Sequence, residues 1–149
     1  PDIINGYDMV LTNMDENNVV KGKAGNAFSF SNASKTLLSR VHEEGDALPV
    51  NQYNSFSVSM WVKLEGVNQN DLKIFREANS SGNNNPIFNI GTHNAGVNGS
   101  IDLYIRGVGP TINHLHSSSE PLDDKWHHMV FTQNELERRL YVDGVLDNL

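Results

Sequence analysis

Residues 126–146 read WHHMVFTQNELERRLYVDGVL. In the first half His127, Met129 and Phe131 alternate with Trp126, His128, Val130 and Thr132. In the second half Leu140 and Val142 alternate with Arg139, Tyr141 and Asp143. A period of two is the mark of an antiparallel strand with one face on a core and the other toward water. The polar run between the halves predicts a hairpin. Asp143-Gly144 predicts a second, tighter one, because both residue types tolerate the positive φ of a type I′ turn. A new strand begins at Val145-Leu146, and the chain stops at Leu149.

The same alternation recurs upstream. Phe56 to Leu64 (FSVSMWVKL) sets Phe56, Val58, Met60 and Val62 against Ser57, Ser59, Trp61 and Lys63. Ser100 to Arg106 sets Ile101, Leu103 and Ile105 against Asp102, Tyr104 and Arg106. Further strands are predicted at Ala27–Ser31, Thr36–Val41, Leu72–Glu77, Ile87–Ile90 and Ile112–Ser117. Residues 1–26 read as irregular, and 42–51 and 78–86 as loops. About ten short strands at roughly 8–12-residue spacing, with no amphipathic helix, predict one all-β domain, an antiparallel β-sandwich, over residues 1–149.

Composition narrows the functional classes. The 149 residues carry a formal net charge of −7, a balance that repels phosphate backbones and anionic lipid, so nucleic acid is a poor partner. No apolar run reaches the ~20 residues a membrane helix needs, so no membrane insertion is expected. Absence of cysteine removes disulfides, thiol nucleophiles and thiolate zinc sites. Hydrophobic content of 38% is enough for a core in a chain of this length. Asn-x-Ser sequons at Asn32, Asn79 and Asn98 are what chance gives in so Asn- and Ser-rich a chain.

Three pieces in order, Gly22-Lys23-Ala24-Gly25-Asn26-Ala27-Phe28-Ser29-Phe30, Phe56-Ser57-Val58-Ser59-Met60-Trp61-Val62-Lys63, and Trp126-His127-His128 with Leu140-Tyr141-Val142-Asp143-Gly144, resemble the laminin-G-like branch of the concanavalin A-like lectin/glucanase superfamily. The similarity covers roughly residues 6–149. It implies a jelly roll of two curved antiparallel sheets ~10 Å apart, and a module carried by larger secreted or cell-surface proteins beside neighbouring domains. It also implies a strand before Gly6-Tyr7-Asp8 and closing strands after Val145-Leu146, so the chain is expected to be an incomplete segment of a larger domain.

The resemblance brings in catalysis, because the superfamily includes glycoside hydrolases. Retaining hydrolysis needs two carboxyls about 5–5.5 Å apart. The hydrolase relatives present theirs as two glutamates bracketing an aspartate on one strand, a run this sequence lacks. Glu43, Glu44 and Asp46 fall in a loop, and Glu135 and Glu137 in a hairpin connection, so all five are read as solvated surface and no enzyme is expected. Calcium is the natural ion for such sandwiches, in a structural role; Asp2, Asp8, Asp15, Asn32 and Asp143 are conceivable oxygen donors without a diagnostic loop pattern. His114 and His116, two apart on one strand face, have a spacing that can chelate zinc. No third ligand is obvious, so a surface polar role is expected. His127, on the face of Met129 and Phe131, is expected to hydrogen-bond inside the core.

Opposite the core, Asp102, Tyr104, Arg106, His114, His116, His128, Arg139 and Tyr141 all fall on one side if the alternation holds. Were their strands neighbours in one sheet, they would form a polar, aromatic face suited to a glycan or surface polysaccharide. Loops 79–85 and 93–98 would then be its rim. Trp61 and Trp126 are expected to pack beneath loops. The leading expectation is a non-catalytic carbohydrate-binding or adhesion module. The alternatives are a structural or protein–protein interaction domain without glycan binding, and part of a polysaccharide-degrading enzyme whose catalytic residues lie elsewhere.

Overall fold

The computed structural model describes residues 6–42, 52–66, 69–78, 87–93, 99–106 and 112–148. They divide into two compact units, Pro1–Asp46 and Ala47–Leu149.

In the first unit β1 (Val10–Thr12) pairs antiparallel with β4 (Leu37–Ser39), and β2 (Val19–Lys21) with β3 (Asn26–Phe28). A single 3₁₀ turn, Glu16–Asn18, joins β1 to β2. Asp15 caps it: its Oδ1 accepts from the Asn17 amide at 2.8 Å, and Asn18 Oδ1 accepts from the Asp15 amide at 2.9 Å. The irregular reading of residues 1–26 is corrected here. Strands of three residues are too short to display an alternation. The predicted strand Ala27–Ser31 likewise ends at Phe28, where Ser29 turns its amide to the Asn18 carbonyl.

The second unit holds two four-stranded antiparallel sheets. One has the order β12-β11-β10-β5, built from β5 (Phe56–Lys63), β10 (Trp126–Gln133), β11 (Arg138–Val142) and β12 (Val145–Asn148). The other runs β6-β7-β8-β9, from β6 (Lys73–Ala78), β7 (Ile87–Thr92), β8 (Ile101–Arg106) and β9 (Ile112–His116). The alternation chooses their inner faces. Phe56, Met129, Phe131 and Leu140 from the first sheet meet Phe88, Ile90, Ile101 and Leu103 from the second, with Leu122 from the crossing segment. Phe56, Phe88 and Phe131 form a triangle of rings with centroids 5.4–5.7 Å apart, a spacing at which aromatic edges meet faces.

The Asp143-Gly144 turn forms as the sequence predicts. Val142 pairs with Val145, and both turn residues have positive φ, 52° and 81°. Beyond it, β12 ties back to the end of β9: the Asp147 carboxylate accepts from the Ser118 and Ser119 amides, and Asn148 Nδ2 donates to the His116 carbonyl. At Gly91 the Leu72 carbonyl oxygen would lie 2.3 Å from any Cβ, so only glycine admits the bulge that starts β6. The loop expected at 42–51, apart from His42, lies outside the described residues, as do Asp2 and residues 79–85 and 94–98.

Candidate functional site

The register of β8 on β9 assembles a polar cluster. His116 is opposite Asp102, and His114 is opposite Tyr104. Because Ile101, Leu103 and Ile105 take the inner face, Asp102, Tyr104 and Arg106 face outward, beside the two histidines. Asp102 is nonetheless only 3% exposed. His114 Nδ1 lies 2.9 and 3.0 Å from its two carboxylate oxygens, and His116 Nε2 lies 3.4 Å from Oδ1. The His93 ring, just past β7, stacks on His116 with centroids 4.0 Å apart, and Tyr104 lies 4.8 Å from His114. Burial lowers the pKa of His116 first of all. Asp102 opposes that shift, while repulsion from His93 and His114 adds to it, so the ring stays neutral to lower pH than an ordinary histidine.

The remaining three candidates are elsewhere. His128 is on β10 and Arg139 and Tyr141 on β11, in the opposite sheet, so the sequence expectation of one continuous face is corrected. β9 is an edge of its sheet, and residues 117–125 cross the sandwich before β10 begins, so the outward faces of β9 and β10 point away from each other. His128 instead pairs across the ladder with Trp61 on β5, their ring centroids 5.0 Å apart at 31°. Ser59 Oγ holds the far side of the imidazole, 2.9 Å from Nε2. Tyr141 stands one rung along on the same face, in line with Val130 and Ser59. Trp61 is 43% exposed, which corrects its expected place beneath a loop. The alternation already carried the signal, since it put the indole among Ser57, Ser59 and Lys63.

His127 follows its strand face but ends at the rim of the core rather than within it. Its Nδ1 lies 2.7 Å from Asp143 Oδ2 and its Nε2 2.8 Å from Asp123 Oδ1. Burial pulls the His127 pKa down, and the two carboxylates outweigh it to leave the value raised. Asp143 is held below the usual carboxylate range by the His128 amide and then by His127; Asp123 is held well below it by Lys125 and then by His127.

Three of the conceivable calcium donors have partners within the chain: Asp15 caps a turn, Asn32 Oδ1 accepts from Lys35 Nζ, and Asp143 binds His127 and the His128 amide. Among the described residues the group that could hold an ion is Asp102, His114 and His116, whose ligand atoms all lie within 4.8 Å of one another. Sequence reasoning put Asp102 on one face with both histidines but did not see it as their third ligand, because it sits twelve positions before His114 and comes against the two rings only through strand pairing.

Residues 23–148, a span that runs across both units, match the family model described as the Concanavalin A-like lectin/glucanases superfamily (Laminin_G_3). Neither curated proteins nor solved structures gave a match.

Proposed function

Since this chain belongs to the concanavalin A-like lectin/glucanases superfamily, we propose that it is a non-catalytic carbohydrate-binding or adhesion module of an exported or cell-surface protein, with its sugar site on the outer face of β5, β10 and β11. The supporting observation is Trp61, an indole 43% exposed on a regular strand and backed by the ring of His128. The indole and the His128 ring together give this face an aromatic surface, and an indole offers the flat face on which the C–H side of a pyranose stacks. Ser59, His128 and Tyr141 stand around it with donors and acceptors for sugar hydroxyls. The β8–β9 cluster suits a sugar less well, because Asp102 is buried and bonded to His114. Among the described residues no helix is long and apolar enough to cross a membrane.

A glycan array probed with the full chain, with and without a chelator, tests this reading. Binding should survive chelation, since among the described residues the group that could hold an ion lies on the other sheet, and Trp61→Ala should abolish it while leaving the melting temperature nearly unchanged. Binding that persists undiminished in Trp61→Ala would overturn the assignment. Silence across plant, algal and host glycans would favour an interaction domain that binds no sugar.

A further inference from the structure

We propose that Asp102, His114 and His116 form a binding site for a divalent transition-metal ion of zinc type. Two imidazoles and one carboxylate are a borderline-soft donor set, suited to zinc and its first-row neighbours and poor for calcium or magnesium, which take oxygen. Two of the three donor pairs have a suitable spacing. Donors around a tetrahedral zinc at ~2.0–2.1 Å stand roughly 3.3 Å apart; here His116 Nε2 is 3.4 Å, and His114 Nδ1 2.9 Å, from Asp102 Oδ1, and all three donors lie within 4.8 Å of one another, so rotation of the two partly exposed imidazoles closes them on an ion.

A second observation is independent of that spacing. The Nε2 atom of His116 is buried and makes no hydrogen bond. A ring nitrogen in that position is either a desolvation cost or a ligand waiting for its ion. The site is also built rather than accidental. All three ligands stand on adjacent ladder strands whose inner faces form the core, and His93 stacks on the His116 ring and fixes its plane. Three protein ligands leave a fourth position for water or an exogenous ligand, and the two rings that would move to admit the ion are partly exposed, at 30% for His114 and 40% for His116. The site does not rest on the sugar reading, since it lies on the opposite sheet from Trp61.

The test uses the full chain stripped with a chelator and dialysed, with no sugar present. Zinc is titrated by calorimetry, with calcium and magnesium run alongside, and cobalt(II) is titrated by visible absorption. One zinc per chain should bind in preference to calcium and magnesium, and cobalt should give the intense visible bands of a low-coordinate site. His114→Ala and His116→Ala should each weaken zinc by at least about 100-fold, more than the 10–100-fold expected of an outer-shell partner. His42→Ala should leave binding unchanged. Circular dichroism and melting temperature of each apo variant check folding; both histidines are partly exposed, so these variants are chosen over a change at buried Asp102. No saturable zinc heat, or zinc binding that persists in the His114→Ala, His116→Ala double variant, would overturn the proposal and leave the cluster as a hydrogen-bonded His–Asp pair.

Discussion

At the scale of single residues, His127 joins the edge of a core to a turn. With a carboxylate against each ring nitrogen, the imidazole is stabilised as the cation, because only the protonated ring donates from both sides. The sign of the pH dependence follows. The folded pKa of His127 is raised above its ordinary 6.5, so its contribution is complete below about pH 6.5 and is lost as pH rises through the raised value. The folded pKa of Asp143 is below its ordinary 3.8, so its contribution is present above that pH and is lost as pH falls through the lowered value. Urea unfolding of wild type and His127→Gln should therefore differ most between about pH 4 and 6.5, by about 1–2 kcal/mol, and converge as pH rises further. A difference that grows with pH would mean that the ring is neutral in the folded chain. The face of His127 was legible in the period-two pattern. Its partners were not, because Asp123 comes from the segment before the strand and Asp143 from a turn whose φ angles, not its side chains, are what the pattern predicts.

At the scale of elements, length decided what could be read. β5 and β10 are eight residues each, long enough for four inward positions, and their predicted limits differ from the observed ones by a single residue. β1 and β2 offer three residues each, and no period can be extracted from three. β10 is hydrogen-bonded on both sides, to β5 and β11, and carries Phe131 at 1% exposure within the three-ring cluster. Phe131→Ala should cost about 3–5 kcal/mol, measured by chemical denaturation, since the space between two packed sheets cannot collapse around the loss. Gly144→Ala tests the turn at its own scale. With φ at 81° and open space where a Cβ would go, the penalty is conformational alone, about 1 kcal/mol. A much larger loss there would mean that the turn packs against something.

At the scale of the whole molecule, the second unit presents two outer faces with different chemistry, and strand order explains why the sequence merged them. Alternation says which residues leave the core, but not which sheet each strand joins. Asp102, Tyr104, His114 and His116 leave it through β8 and β9, whereas Trp61, His128 and Tyr141 leave it through β5, β10 and β11. The separation makes the two proposals independently measurable, and Tyr104 distinguishes them. Its ring lies 4.8 Å from His114 and in the sheet opposite Trp61. If sugar docks on the Trp61 face, Tyr104→Ala should leave glycan affinity unchanged by calorimetry, and should lower zinc affinity modestly by loosening His114. A loss of glycan binding in Tyr104→Ala, with Trp61→Ala unaffected, would instead place the sugar beside Asp102, where a bound ion and a sugar hydroxyl could share the open coordination position. Binding would then fall on chelation, which the Trp61 site forbids.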